Sequence, residues 1–204
     1  MLAISLRVLP GSLALVGLVV VVLSAIGARR DAIAPLEMRV FRVINGLPNW
    51  LYVPLWLPMQ FGNLVVGAAA GLVVAFLLRD WPVAIAVVIA TGMKLVVERV
   101  IRSRMTAFAA VRQRPGTSEP GAVLRGADVP KEGASFPSGN VILAAAIAAV
   151  VSSGLDPALV WVPWLAASLV MLGRVYVGAH NPLDVTAGLG AGMLIGGVLD
   201  VLLH

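Results

Sequence analysis

Apolar runs of membrane-spanning length constrain this chain more than any other feature. Five or six runs are present, because the second is ragged and the fifth is short; they cover residues 13–28, 59–78, 82–101, 136–155, 159–172 and 183–203. A helix needs roughly 20 residues to cross a hydrocarbon core about 30 Å thick. With 60% hydrophobic and 12% charged residues and a mean hydropathy of +0.98, the chain lacks the polar side chains to cover a soluble domain. We predict one all-α domain over residues 1–204, folded as a polytopic bundle of six transmembrane helices.

The segment between the first two runs is basic and aromatic. Its arginines are Arg29, Arg30, Arg39 and Arg42, and its aromatic residues include Trp50, Tyr52 and Trp56. Basic amphipathic helices lie in the bilayer surface, and Trp and Tyr gather at the headgroup level. We therefore expect an interfacial helix before the second span. A signal peptide is the competing interpretation of residues 1–28.

The positive charge is unevenly distributed along the chain. With six spans, both termini share one membrane face, and of the 15 Lys and Arg residues only Arg7 and Arg79 belong to that face. Two interpretations stay open: the basic face is the cytoplasmic one, or several of its cations form an anion pocket. Lys94 and Arg174 favour the pocket, because they lie within or at the ends of apolar helices, where a charge is costly and usually functional.

Three charged residues share one helix face at the end of the third run. Lys94, Glu98 and Arg102 are spaced four apart, so their side chains are neighbours on a helix. Glu98 could pair with either cation to hold it in place, although a plain ladder of salt bridges would have the same spacing. Residues 102–135 then form the longest polar stretch, and long connections tend to be functional or disordered. We predict a lid or headgroup-recognition loop before the fourth span.

Two later segments carry groups suited to phosphate chemistry. Residues 135–140 read Ser-Phe-Pro-Ser-Gly-Asn, a turn into a helix in which Ser138 and Gly139 offer backbone amides to an anion. His180 and Asp184 are four apart, so a helix beginning near His180 places the carboxylate beside the imidazole. That pairing fixes the ring tautomer and leaves the other nitrogen free to attack. An interfacial His followed by a helix-capping Asp is the alternative.

Other residue types limit the chemistry and indicate packing. The chain has no cysteine, and its histidines are His180 and His204. Disulfides are therefore excluded, and the pattern argues against a metal site; we predict neither a metal nor a cofactor. Small residues at every fourth position, Gly188, Gly192 and Gly196, predict a ridge where helices approach closely.

These motifs together resemble the type 2 phosphatidic acid phosphatase (PAP2) superfamily. The resemblance rests on Lys94, on the Pro-Ser-Gly turn, and on Arg174, His180 and Asp184 in sequence order. It implies that His180 takes the phosphoryl group and that Asp184 orients it. It also implies that the phosphate oxygens are held by Lys94, Arg174, Ser138 and the Gly139 amide.

The resemblance also implies a setting and a set of partners. We expect a multi-pass protein of the bacterial inner membrane, with its site at one membrane face and independent of metal. Its expected partners are the bilayer and a lipid phosphate or polyprenyl diphosphate substrate, and no nucleic acid. The charge distribution points the site toward the cytoplasm, whereas enzymes acting on polyprenyl diphosphates are taken to face outward. The sequence leaves this conflict, and the oligomeric state, open.

The chain departs from the family pattern at three positions. Ile101 stands where the first motif has Arg, so Arg102 and Arg114 are both candidates for that role. Gly173 replaces a Ser before Arg174. Asn140 replaces the His that would protonate the leaving oxygen, a contribution typically worth about 10² to 10⁴ in rate.

Three explanations of Asn140 compete. It is an engineered substitution, or it belongs to a slow enzyme whose diphosphate substrate needs little protonation, or the protein binds or transports lipid phosphates without turning them over. A small channel or flippase on the same bundle is a further alternative. The first, second and fourth runs carry few polar residues, which gives a continuous pore little support.

Overall fold

A computed structural model of the chain describes residues 11–29, 33–108, 112–127 and 129–203. In these ranges the named elements are all helical, and the single strand-like contact is an isolated bridge between Gln113 and Ala134. Arg7, Arg30, His204 and most of the alternative signal-peptide n-region lie outside the described residues. The helices are α1 Ser12–Ala28, α2 Pro35–Asn45, α3 Tyr52–Met59, α4 Leu64–Leu78, α5 Trp81–Phe108, α6 Pro115–Ser118, α7 Gly139–Gly154, α8 Trp161–Tyr176 and α9 Pro182–Leu203.

Helix α9 is packed between α1 and α7, and glycines make both contacts close. A Cβ on Gly192 or Gly196 would overlap Ala145 or Ala149 of α7. On the opposite side, a Cβ on Gly197 would lie 2.5 Å from the backbone nitrogen of Ala14 in α1. Small residues let membrane helices approach to backbone distance, so the predicted glycine ridge is confirmed as a packing surface.

Helix α7 is the centre of the bundle. Nearly all of its residues from Gly139 to Val151 are buried, and it contacts α4, α5, α8 and α9. Val83 and Val87 of α5 pack with Ile142 and Ile195 in the largest apolar cluster. Burying the whole circumference of α7 fixes its amino-terminal end, which carries the Pro-Ser-Gly turn, against its neighbours.

The second predicted span is broken instead of continuous. Residues Asn49–Gly62 and Leu64–Leu78 meet at an angle of 74°. Asn63 lies at the break in an extended conformation, and its side-chain oxygen accepts a hydrogen bond of 3.0 Å from the Val65 amide. An Asn at an N-cap satisfies an otherwise free amide. A new helix therefore begins at Leu64, inside the segment 59–78 for which we predicted one continuous span.

The polar loop before α7 is shorter than predicted. Helix α5 continues to Phe108, beyond the expected end near residue 101, so the start of the predicted polar stretch is helical. The described part of the loop is also anchored: Arg125 donates hydrogen bonds to the carbonyls of Asn45, Leu47 and Tyr176. These contacts hold residues around Arg125 against α2 and α8.

Length and composition alone support fewer spans than six. Of the described helices, α9 alone is long and apolar enough to cross a membrane, and the bent pair adds a second if it forms one span. Helices α1 and α7 are apolar but shorter.

Helix α2 has the two faces expected of an interfacial helix. Glu37, Phe41 and Asn45 are buried on one side, while Leu36 and Val43 are about 70% exposed on the other. Its place at a bilayer surface stays a prediction.

Candidate active site

The amino-terminal end of α7 is tied to the start of α9. Ser138 is the N-cap of α7, and its amide donates a 3.0 Å hydrogen bond to the backbone carbonyl of Asp184. The Ser138 side chain is fully buried, and its hydroxyl has no hydrogen-bond partner among the described residues. A buried hydroxyl without a partner is rare. The arrangement brings the Pro-Ser-Gly turn and the His-Asp pair, predicted separately, into contact.

Glu98 of α5 lies directly against this helix end. A Cβ on Gly139 would overlap both carboxylate oxygens of Glu98, so the glycine makes the close approach possible. Lys94 and Arg102 each reach the same carboxylate at 2.8 Å. The predicted ladder of three charges is therefore present, and it faces α7.

The predicted pair of His180 and Asp184 is assembled at the start of α9, with His180 just before the helix and Asp184 in its first turn. His180 Nδ1 lies 3.8 Å from Asp184 Oδ2, too far for a hydrogen bond, so the carboxylate acts on the ring through its charge. Both side chains are almost completely inaccessible to solvent. Helix α9 begins at Pro182, which fits the tolerance of proline in the first turn of a helix.

Asp184 is held by groups that the sequence did not single out. Its Oδ1 accepts a 2.8 Å hydrogen bond from Arg112 Nε, and its Oδ2 accepts one of 2.8 Å from the Asn181 amide. Arg112 also forms a short ion pair with Glu37, whose Oε1 in turn accepts from the Leu183 amide. Burial alone would lower the pKa of Arg112, but the charges of Asp184 and Glu37 raise it. The guanidinium is thus a fixed positive charge beside Asp184.

A sequence signal for this network existed but was weak. Glu37 is the sole acidic residue of α2, and Arg112 is one of several arginines in the polar loop. Only the fold shows that the two meet, since they are 75 residues apart in the chain.

The environment of His180 favours its neutral form. Burial lowers the pKa of His180, and the charges of Arg174 and Arg114 lower it further, while Asp184 opposes them. Nδ1 has no hydrogen-bond partner among the described residues. A neutral imidazole is the form that acts as a nucleophile.

Both candidates for the first-motif arginine lie near the site. Arg114 Nη1 donates a 2.9 Å hydrogen bond to the carbonyl of Ala179, next to His180. Burial lowers the pKa of Arg114, and the charge of Arg102 lowers it further. Arg102 instead pairs with Glu98 and is 40% exposed. Arg114 is therefore the arginine in contact with the His180 segment.

Arg174 and Asn140 share a small polar cavity of about 60 Å³. Gln60, Asn63 and Arg125 also line it. The Arg174 carbonyl accepts hydrogen bonds from the Ala179 and His180 amides, at 3.1 and 3.3 Å, so α8 ends directly against the His180 segment. In the described ranges no three His, Cys, Asp or Glu side chains are arranged as metal ligands. The polar groups that line the cavity are cations and amides, which suit an anion, whereas Lys94, Ser138 and His180 do not line it.

Comparison with known proteins identifies relatives of this arrangement. A profile of the PAP2 superfamily matches residues 81–202. A comparison with curated proteins gave no match.

Two solved structures share the fold. The PAP2-type phosphatidylglycerolphosphate phosphatase from Bacillus subtilis has 18% identity and a TM-score of 0.73, covering 91% of this chain and 93% of its own. LpxE from Aquifex aeolicus has 25% identity and a TM-score of 0.65, covering 81% of this chain and 95% of its own.

Proposed function

Since the chain belongs to the PAP2 superfamily, we propose that it is a membrane phosphatase that hydrolyses a lipid phosphate or polyprenyl diphosphate through a phosphohistidine at His180. The observation that carries the proposal is the His180–Asp184 pair, buried and flanked by Arg174 and Arg114. Perturbed titratable groups placed with an anion-binding helix end indicate a reactive site.

The first step is attack by His180 on phosphorus. Asp184 lies beside Nδ1, so Nε2 is the nitrogen free to form the N–P bond. The bond from phosphorus to the leaving oxygen breaks, and that oxygen keeps the electron pair. Asp184 stabilises the positive charge that develops on the ring, as carboxylates do beside catalytic histidines. Water then attacks the phosphohistidine, inorganic phosphate leaves, and neutral His180 is restored as the water proton passes to solvent.

Several charge-assisted donors serve the phosphate oxygens. Arg174 and Arg114 are both close enough to His180 for their charges to lower its pKa, and the first amides of α7 lie where Ser138 meets Asp184. Lys94 and Arg102 complete the set from α5. Donors placed in advance around developing negative charge usually contribute more to catalysis than any other single effect.

Asn140 favours a diphosphate substrate. Its amide can donate a hydrogen bond but cannot give a proton to the leaving oxygen. Cleaving a diphosphate expels a phosphate anion, which is far less basic than an alkoxide, so proton donation matters less.

An apolar groove supports a substrate with a lipid tail. The groove, of about 390 Å³, lies between α4, α7 and α8 and includes Phe61, Gly67, Ala144 and Ala148. Ala144 is one turn after Asn140 on the same face of α7. The groove therefore begins just beyond the polar cavity, so that a phosphate at Asn140 would place its tail in apolar surroundings.

The proposed membrane arrangement has six spans. They are α1, the bent pair of α3 and α4, α5, α7, α8 and α9, with α2 in the interface. In this proposal the protein lies in a bacterial inner membrane, with the site on the face that carries most of the basic residues. Short helices such as α7 are tolerated because they are shielded by neighbours and need not match the bilayer alone.

Trapping of the intermediate tests the proposal. Purified protein in detergent is given a lipid diphosphate labelled with ³²P in its terminal phosphate, and acid-labile label on the protein is measured alongside phosphate release. We expect both signals for the natural chain and neither for His180→Asn. Glu132→Gln, a change at an exposed loop position away from the cavity and the pair, is the control and keeps both. Phosphate release without label, or label retained in His180→Asn, would overturn the mechanism.

A second candidate is a lipid-phosphate binder or transporter on the same fold. Asn140 is the observation that favours it, because its amide can hydrogen-bond a phosphate but cannot give a proton to the leaving oxygen. Binding of a lipid diphosphate with no phosphate release, even after Asn140→His, would support this function over the phosphatase.

A further inference from the structure

Glu98 has no role in the proposed reaction, although it lies beside the residues proposed to bind phosphate. Its carboxylate touches Gly139, the first residue of the 16-residue helix α7. Helix amino termini attract anions through free amides and the positive end of the dipole. The protein thus holds a carboxylate against the α-carbon of Gly139, beside the helix end proposed to receive phosphate.

The carboxylate also engages the cations proposed for phosphate. Lys94 Nζ lies 2.8 Å from Oε2, and Arg102 Nη2 lies 2.8 Å from Oε1, so each oxygen has its own cation. The Glu98 side chain is 19% exposed, which strengthens both pairs relative to a fully solvated ladder. Arg114 is close enough for its pKa to respond to Glu98.

A second, independent feature is a hydroxyl donor at the same helix end. The Ser138 hydroxyl is fully buried, and among the described residues it has no hydrogen-bond partner. A carboxylate has two oxygens, both taken by Lys94 and Arg102, whereas a phosphate has three that are free to accept. An arriving phosphate can use the same two cations and still accept from Ser138.

We propose that Glu98 is an internal surrogate for the substrate phosphate: it fills the phosphate position of the empty site, leaves when substrate binds, and returns as inorganic phosphate departs. This role rests on the proposed function, because it concerns the same site. Only molecules whose Glu98 has moved away bind phosphate, so the apparent Kd exceeds the intrinsic Kd by the reciprocal of that fraction. Glu98 therefore weakens phosphate binding and speeds product release.

The direction in which Glu98→Gln changes the affinity for phosphate distinguishes this role from a structural one. If Glu98 only holds Lys94 and Arg102 in place, Glu98→Gln loosens both cations and weakens phosphate binding. If Glu98 competes with phosphate, the same change strengthens it. Glu132→Gln is the matched control, because it removes the same charge from an exposed loop position.

The experiment measures the Kd of orthophosphate by calorimetry for the natural chain, Glu98→Gln and Glu132→Gln in the same detergent. We expect Glu98→Gln to lower the Kd by about tenfold or more, the factor for a site closed in nine molecules of ten, and Glu132→Gln to leave it within about twofold. Glu98→Ala, which removes the carboxylate entirely, gives the same comparison if the Gln variant fails to fold.

The outcomes also separate this inference from the proposed function. Unchanged or weaker phosphate binding in both Glu98 variants, with phosphate release by the natural chain intact, overturns the role of Glu98 alone. Absence of phosphate binding in the natural chain and in both variants overturns the role of Glu98 and the phosphatase together.

Discussion

Asn140 lies in the first turn of α7 and lines the polar cavity with Arg174. We expect Asn140→His to raise hydrolysis of a lipid monophosphate by about 10² or more and that of a lipid diphosphate by less, because proton donation helps the more basic leaving group most. Steady-state phosphate release with the two substrates measures this. Gln60→His adds an imidazole to the same cavity and should give no such gain. Equal gains with both substrates would contradict the leaving-group argument.

The pKa of His180 predicts how the activity responds to pH. Burial lowers this pKa below the usual value of about 6.5, so we expect kcat/KM to fall only when the pH drops below about 6.5. A profile of kcat/KM in the free protein measures this, and an acid limb centred above about 6.5 would contradict it.

The same shift predicts a change in stability. The unfolded chain takes up the His180 proton at a higher pH than the folded one, so it binds more protons between the two pKa values. Stability therefore falls as the pH is lowered from about 6.5 toward the folded pKa.

At the scale of single elements, the groove between α4, α7 and α8 should determine the preference for lipid tails. Ala70 of α4 lines it, and Ala70→Phe should raise KM for a long-chain substrate by about tenfold, a loss of about 1.4 kcal/mol of tail binding. Hydrolysis of a short, water-soluble phosphate should be unchanged. Val88→Phe, at an exposed position of α5, is the control. Equal effects on long and short substrates would place the tail elsewhere.

The connection from α2 through the loop to α9 depends on Arg112. Its side chain is 5% exposed and pairs with both Glu37 and Asp184. We expect Arg112→Met to destabilise the protein by about 3–5 kcal/mol, because it leaves two buried carboxylates without a cation. Thermal unfolding in detergent measures the loss. Arg104→Met, at an exposed position of α5, should have little effect, and similar values for the two would contradict the network.

For the whole molecule, the six-span arrangement puts the loop before α7 and the turn between α7 and α8 on opposite faces. The chain has no cysteine, so in a variant with one introduced cysteine the maleimide label reports the membrane side of that position alone. We expect Glu132→Cys and Pro157→Cys to react with a membrane-impermeant maleimide from opposite sides of oriented vesicles. Both positions are exposed. Labelling of both from one side would show that α7 does not cross the membrane. The side that labels Glu132→Cys also decides between the cytoplasmic and outward orientations.

The sequence by itself determined the features that depend on neighbours within one helix or one turn. Lys94, Glu98 and Arg102 meet because helical spacing puts every fourth residue on one face. His180 meets Asp184 because it directly precedes α9, whose first turn carries Asp184. The apolar runs predict most helices to within a few residues. They do not predict the break at Asn63, because a single asparagine in an otherwise apolar run is a weak signal for the start of a new helix.

Only the tertiary structure decided how these local pieces face one another. The contact of Glu98 with Gly139, the hold of Arg112 on Asp184 and the closeness of Arg114 to His180 all join residues far apart in the chain. Such contacts follow from how α5, α7 and α9 pack, and packing depends on shape and volume over several helices at once. Hydrophobic periodicity contains no information about that arrangement. The residues that pair with the charged groups of the site could therefore be identified only from the tertiary structure.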